Sequence, residues 1–406
     1  MDMVQGQGNG QGQGRKVAVI TPGSFVIPSG RSSSVERVIE KMVPLVADQL
    51  QIHILGMGEG LGETQILVGG VPCYRLPGGK AYEGAILRHL RIWRPEVVDV
   101  HNRRLIAYHL KLRLPFTTVF LTLHSTTFIS STYFPEHCTL RMLNKVDGII
   151  VNSRFLKEEL LRRFPDLQVP IHVNPLGVSM EDFIPRWTPQ GEALRQARML
   201  DLGIQNKKII LFVGRLIPSK GVHHIIYAFE EIITQQPDAM LLIIGSAHYG
   251  NDRESRYVKR LKKMAHKYKE RILFFPFIPY PKIADWYNVA DVVVVPSGEE
   301  EAFGLVNVEA MATAVPVVAT QSGGIPEIIE DGKSGRLLPL NTMPASFVPV
   351  ITELLADEDK IKRMGKAGRE RVRKNFRWKH TASRWLSLMN TSDYNKEKEL
   401  IDQCRR

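Results

Sequence analysis

Two carboxylates and two cations in the C-terminal half of this chain have the types and spacing to do chemistry. Glu301 and Glu309 are separated by seven residues and flank Phe303-Gly304. That interval is about two helical turns, so Glu309 can project along the same side as a group near the helix start. Carboxylates accept hydrogen bonds from vicinal hydroxyls. Arg215 and Lys220 follow the apolar run ILFVG. A guanidinium forks onto phosphate oxygens, and an ammonium adds a compact charge. Further on, the turn Ser322-Gly323-Gly324 precedes Pro326 and Glu327, in the first turn of an expected helix. The amides of Gly323, Gly324 and Ile325 then sit at a helix start, suited to phosphate. A ligand with both sugar hydroxyls and a diphosphate is a nucleotide sugar. The blander alternative is a solvated acidic loop and two surface cations. It is outweighed by the combination, although Glu299 and Glu300 are read as solvated.

These residues need a parallel sheet to position them. Val292 to Val295 reads as a buried strand, with a helical pattern from Phe303 to Met311 and a second strand over Val315 to Ala319. Two strand-to-helix junctions therefore open on one sheet edge, where such sheets bind ligands. Strand-like runs at Lys208–Val213, Met240–Ile244 and Ile272–Phe275 complete that half. In the first half, Lys16–Thr21, Gln51–Leu55, Val97–His101, Thr118–Leu123 and Gly148–Asn152 alternate with helical segments. This is the rhythm of a doubly wound α/β sheet. Ser32 to Ser34 are expected helix caps before the face Val35, Val38, Ile39, Met42. The runs at Thr118 and Gly148 end in His124-Ser125 and Asn152-Ser153-Arg154, polar residues placed where α/β sheets put their chemistry.

The chain has 406 residues, enough for two domains. The expected division is a Gln/Gly tail over 1–14, an N-terminal domain over 15–183, a second domain over 184–377, and a helix with a charged tail over 378–406. No apolar run approaches the length of a membrane span, and three scattered cysteines fit neither a disulfide framework nor a metal site. A cytoplasmic setting is expected. The formal net charge is +12, without the basic and aromatic interleaving of a nucleic-acid module. Arg88, Arg91, Arg94, Arg103, Arg104, Lys111 and Arg113, interleaved with Leu87, Leu90 and Ile92, suggest a basic amphipathic face for an anionic membrane, against ordinary surface charge.

The stretch EAFGLVNVEAMATAVPVVATQSGGIPEIIEDGKSGRLL resembles the donor-site signature of retaining glycosyltransferases of family 4, which have the GT-B fold of two Rossmann-like domains with a cleft between them. The likeness extends through VGRLIPSKG, and PSGRSSSVERVIEKM is similar to a branch found among bacterial spore-coat proteins. The resemblance implies a retaining, metal-independent transfer of a hexose, with no cofactor. The donor would be a UDP, GDP or ADP sugar, with UDP the first choice. It assigns Glu301 to the donor sugar and Glu309 to the ribose, with Arg215 and Lys220 neutralising the leaving diphosphate. Phe303 and Gly304 would supply amides and a wall to the sugar. His124, with His101 the weaker choice, would lie near the transferred sugar. Ser29-Gly30-Arg31-Ser32 stands where relatives carry a Gly-Gly pair, so Gly30 would approach the diphosphate or the acceptor, or the loop would simply cap a helix. The acceptor is left as lipid-linked or polyanionic, met peripherally at the inner membrane face or in a spore coat. A GT-B epimerase and a catalytically retired coat protein stay open as alternatives.

Overall fold

The computed structural model describes residues 14–28, 34–60, 62–130, 134–248 and 253–391. The terminal tails, Cys404 and Gly30 with its neighbours lie outside the described residues.

Eight strands form the first sheet: β1 (Arg15–Ile20), β2 (Leu50–Met57), β3 (Thr64–Val68), β4 (Val71–Leu76), β5 (Val97–His101), β6 (Thr118–Leu123), β7 (Gly148–Val151) and β8 (Ile171–Val173). Their order is β3-β4-β2-β1-β5-β6-β7-β8, parallel except where β3 runs antiparallel to β4. Every residue of β5, β6 and β7 is buried, as continuous apolar runs covered on both faces by helices should be. The β3–β4 hairpin was not anticipated, although Gly69 and Gly70, both at positive φ, supply its two-residue turn.

The second sheet has β9 (Lys208–Val213), β10 (Ala239–Ile244), β11 (Ile272–Phe275), β12 (Val292–Val295), β13 (Val317–Thr320) and β14 (Gly335–Leu338). Its order, β11-β10-β9-β12-β13-β14, is wholly parallel. Chain order reverses between β1 and β5 in one sheet and between β9 and β12 in the other. Crevices beyond the carboxyl ends of strands at such reversals are where open α/β sheets take ligands.

A last helix, Trp378–Asn390, returns to the first sheet. Ala382, Trp385 and Met389 bury themselves in the core that also holds Val17, Val19 and Ile52. Among the described residues no helix is long and apolar enough to cross a membrane.

Candidate active site

Glu301 is placed by two loops that lock together. The loop after β9 is pinned to the loop after β12 by a bond from Gly298 N to Ser219 O, 2.8 Å. Gly221 makes this fit: its φ is +67°, and a Cβ there would stand 1.8 Å from Pro296 O. The contact sets Lys220 Nζ against Glu301 Oε2, which also accepts from Ser297 Oγ at 2.8 Å. From the other side, Gly324 N donates to Glu301 O at 2.9 Å, and a Cβ on Gly323 would fall 2.1 Å from that same oxygen. The glycine pair thus seats the carboxylate-bearing loop. Burial works to raise the Glu301 pKa, but Lys220, Ser297 and Arg215 outweigh it and hold the carboxyl below its ordinary value.

Glu309 lies in the helix Leu305–Ala312, which starts from Gly304 in the left-handed region. Its carboxylate accepts from Tyr287 Oη at 2.7 Å and pairs with Arg37 at 2.8 Å. Arg37 comes from the helix Ser34–Met42 of the other sheet's layer, and its guanidinium lies over the Tyr280 ring, 4.9 Å from the centroid. Burial and the neighbouring Glu309 raise the Tyr287 phenol well above its usual value, so it stays a donor. Between these groups is a cavity of about 430 Å³, bounded by Arg37 and Glu40 on one wall and by Arg215, Gly245, Tyr280 and Glu309 on the other. That volume is in the range of ligand pockets.

The remaining expected residues fall in several places. His124 follows β6 with Nε2 3.0 Å from His101 Nδ1. The Phe303 ring is buried against Phe376, so it packs the core and cannot wall a sugar. Ile325 N is taken by Ser322 O and Gly324 N by Glu301 O, which leaves Gly323 as the amide of the three without a bond inside this turn. Ser153 is fully buried and its Oγ caps the helix Arg154–Arg163 by accepting from Leu156 N at 3.1 Å. Its hydroxyl is therefore already committed.

Two acidic residues beyond those expected tie the halves together. Glu327 Oε2 and Oε1 accept from Arg154 N at 3.0 Å and Phe155 N at 2.9 Å. They satisfy open amides at that helix's N-terminus, where the dipole favours negative charge. Glu300, read from sequence as solvated, accepts from Thr126 Oγ1 at 2.9 Å and pairs with Arg163 at 3.0 Å. The expected basic face is also corrected. Arg104 and Lys111 are buried, Lys111 paired with Asp147 at 2.7 Å, and Leu90 lies in the core. Arg88, Arg91 and Arg94 remain exposed.

Two facing doubly wound sheets, with carboxylates and cations gathered at the strand-end crevice between them, define a GT-B glycosyltransferase. The chain belongs to glycosyltransferase family 4: residues 198–371 match the family model Glycosyl transferases group 1, and residues 36–182 match Glycosyltransferase Family 4. It is 30% identical over 373 residues to spore coat protein SA of Bacillus subtilis, covering 92% of this chain and 98% of that protein. D-inositol 3-phosphate glycosyltransferase of Xylanimonas cellulosilytica is 32% identical over 245 residues, 60% of this chain and 56% of that one. Among solved structures, sucrose-phosphate synthase from Thermosynechococcus elongatus superposes with a TM-score of 0.73 at 23% identity, covering 92% of this chain and 98% of its own. Anabaena HepE in complex with UDP and glucose superposes at 0.72 and 18% identity, covering 92% and 99%. These two likenesses speak to the fold.

Proposed function

We propose that this chain transfers a hexose from a UDP-sugar to an anionic acceptor, with retention at the anomeric carbon and without a metal ion. The observation that carries the reading is the Lys220–Glu301 pair beside Arg215, preassembled by the interlocked loops after β9 and β12. Transfer breaks the bond between the sugar C1 and the diphosphate, so negative charge develops on the leaving group. Arg215 and Lys220 stand where a fixed positive field can meet that charge, the task a divalent metal performs elsewhere. Glu301 holds sugar hydroxyls, and Glu309 takes the ribose in the 430 Å³ cavity. HepE, recorded with UDP and glucose, supports the choice of UDP. Retention rests on family membership. These intact charges favour an enzyme over a retired coat protein. The test is turnover of UDP-glucose, GDP-mannose and ADP-glucose in excess EDTA. UDP-sugar turnover that survives EDTA is expected, and loss restored by Mg²⁺ or Mn²⁺ would refute the metal-free reading.

The acceptor side is a second cavity, of about 480 Å³, beside the β1/β5 reversal. Lys80, Arg103 and Arg104 line it with Phe128 and Phe134. Phe128 lies in the turn Thr126–Ile129, whose Thr126 reaches Glu300 across the cleft. Its cations favour a polyanionic acceptor, and Arg103→Ala should raise the acceptor KM while leaving the KM for the donor unchanged. One observation favours a membrane contact as well: Ile92, in sequence between the exposed Arg91 and Arg94, is 85% exposed, and Phe116 is 95% exposed. They lie at the amino ends of β5 and β6, away from the cleft, so a bilayer there would anchor the enzyme and not feed it. Anionic vesicles should capture the protein and salt should release it; equal capture by neutral vesicles would remove this reading.

A further inference from the structure

The second sheet has a cavity at both ends of its strands. At the amino ends of β9 and β12, opposite the donor cavity, lies a space of about 730 Å³. Lys208 opens β9 on this side, and Val213 closes the same strand against the 430 Å³ cavity. Five cations line the space against three carboxylates, Glu192, Asp291 and Glu358. Arg195 is spent on structure, donating to Val289 O, to Lys207 O at 3.4 Å and to Asp291 Oδ2 at 2.9 Å. Arg186 is held less completely. It is 5% exposed, its Nη1 donates to Glu192, and its Nε is buried with no hydrogen-bond partner among the described residues. Burial and the neighbouring charge of Arg195 both disfavour its charged form. Lys208 Nζ donates to the neutral Gln236 Oε1 at 2.9 Å, and among the described residues neither Lys208 nor Lys362 forms an ion pair. Trp187 completes the wall, with the Arg186 guanidinium 4.4 Å and the Lys362 ammonium 5.8 Å from its ring centroid.

We propose that this cavity binds the monophosphate ester of a small organic molecule, and that its occupancy is felt at the helix that carries Glu309. The site lies apart from the donor chemistry and goes beyond the transferase reading. A phosphate dianion suits an incompletely compensated guanidinium beside unpaired ammonium charges. The guanidinium forks onto two oxygens, and the ammoniums act on the rest as point charges. The space is far larger than one phosphate and falls in the range of pockets for small organic ligands. Met199, Leu355 and Ile361 line it beside Trp187, so an ester places carbon where inorganic phosphate would leave the apolar wall uncovered. Hydrogen bonds to the main chain join this wall to the donor site. Arg186 N donates to Thr313 O at 2.7 Å, and Trp187 Nε1 donates to Ala314 O at 3.0 Å. Those carbonyls directly follow the helix Leu305–Ala312, and Thr313 Oγ1 donates back to Glu309 O at 3.1 Å. A ligand that fixes Arg186 and Trp187 therefore fixes the carboxyl end of that helix, whose Val306 and Glu309 line the donor cavity. Hydrogen-bonded, rigid elements of this kind carry coupling between sites.

Trp187, one of five tryptophans, is a built-in reporter. Glucose 6-phosphate and AMP separate a sugar ester from a nucleoside ester, and neither carries the uridine diphosphate of the proposed donor. At millimolar concentration one of them should change the tryptophan fluorescence, and Trp187→Phe should abolish the change. A change that survives Trp187→Phe puts the ligand elsewhere and overturns the proposal, as does no response to either ester. Inorganic phosphate should bind at least about tenfold more weakly, because it covers none of the apolar lining; equal affinity would overturn the ester. Arg186→Gln, and separately Lys208→Ala with Lys362→Ala, should each weaken binding at least about tenfold, the scale of one charged hydrogen bond. If Arg186→Gln does not fold, the lysine pair decides, and unchanged affinity there overturns the site. Hydrogen exchange reads the coupling without turnover. With saturating ester the amides of 305–314 should exchange at least about threefold more slowly, and unchanged exchange would overturn the link to the donor site. Failure to bind UDP would sink the transferase reading and leave both measurements standing.

Discussion

Glu309 is a buried carboxylate and Glu301 a largely buried one, each held by a cation, but their cations arrive by different routes. Lys220 reaches Glu301 from the same sheet, on a loop pinned by Gly221 and by the Gly298–Ser219 bond. Arg37 reaches Glu309 from the helix Ser34–Met42, across the cleft. The first pair persists however the two halves move. The second exists only while they are close, and the ribose proposed for Glu309 would compete with it. A charge array that stabilises a transition state works best when it needs no rearrangement at the moment of reaction. A binding group can tolerate an exchange of partners. The contrast therefore supports the proposed division, with chemistry at Glu301 and Lys220 and binding at Glu309.

The largest effect expected from breaking the preassembled pair is in turnover. Arg215→Ala and Lys220→Ala should each lower kcat by about 10²–10³-fold, the cost of removing one preorganised charge. Their effects on stability should differ. Arg215 is exposed, so its loss should leave the melting temperature close to wild type. Lys220→Ala strands Glu301, whose carboxyl is only 13% exposed, and a buried charge left without its partner costs about 3–5 kcal/mol. Lys220→Met combined with Glu301→Gln should recover that stability while staying inactive. Near-wild-type turnover in the Arg215/Lys220 double variant would break the comparison at its stronger end.

A second effect follows from pH. The Glu301 pKa is depressed below 4.5, so its share of stability is present above that unfolded value and is lost as pH falls through the folded one. His124 is also depressed, from 6.5 to about 3, and buried neutral. Its share is complete above 6.5 and drains as the unfolded imidazole takes up protons below that value. At pH 5 this amounts to about 2 kcal/mol, at 1.36 kcal/mol per pH unit. Thermal stability should therefore fall between pH 6.5 and 5, while the Glu301–Lys220 pair stays charged. A kcat that collapsed in parallel without unfolding would show that the site holds a group titrating in this window.

Glu309→Gln should act mainly on binding. It keeps an oxygen for Tyr287 or a ribose hydroxyl but loses the charge, worth about 1.5–3 kcal/mol for a charged hydrogen bond. The donor KM should rise roughly tenfold or more by that figure, with kcat little changed. A loss confined to kcat would mean that the two carboxylates have exchanged roles.

What could be seen in the sequence followed from how local each feature is. β5, β6, β9 and β12 were legible to the residue because they are largely apolar runs inside their sheets, and β11, although an edge strand, was legible because its sequence ILFF is equally apolar. β3, β8 and β14 were not, since these edge strands are short or carry polar residues that break the apolar run, as in TQILV, IHV and GRLL. The loops around Glu301 stood out as a candidate site because glycines, cations and carboxylates lie a few residues apart. Arg37, Glu300 and Glu327 were missed as bridging residues because their partners lie on the other half of the chain. Helical spacing could not distinguish Arg104 and Lys111, which are buried, from the exposed Arg88 and Arg91. Burial of a cation depends on a tertiary partner such as Asp147, which periodicity does not encode.

The smallest effect belongs to the pair that must break. Arg37 occupies Glu309 in the unliganded protein and is held there by the Tyr280 ring as well as the carboxylate. A nucleotide that binds through Glu309 competes with this state, so its apparent affinity is reduced by the fraction of molecules in which Arg37 has let go. Arg37→Met removes the competing charge and the guanidinium over Tyr280 while keeping an unbranched apolar side chain. UDP should then bind about three- to tenfold more tightly, a gain of about 1 kcal/mol. Calorimetry with UDP measures this directly, and it needs no acceptor. Binding that weakens instead would place Arg37 on the nucleotide itself, as a donor to its phosphates or ribose, and Glu309 would then share its cation with the ligand instead of surrendering it. In the Lys220→Met/Glu301→Gln background the gain from Arg37→Met should persist, because the two pairs share no loop. If the gain vanished there, the pairs would be coupled through closure of the cleft, and the separation of chemistry from binding would not hold.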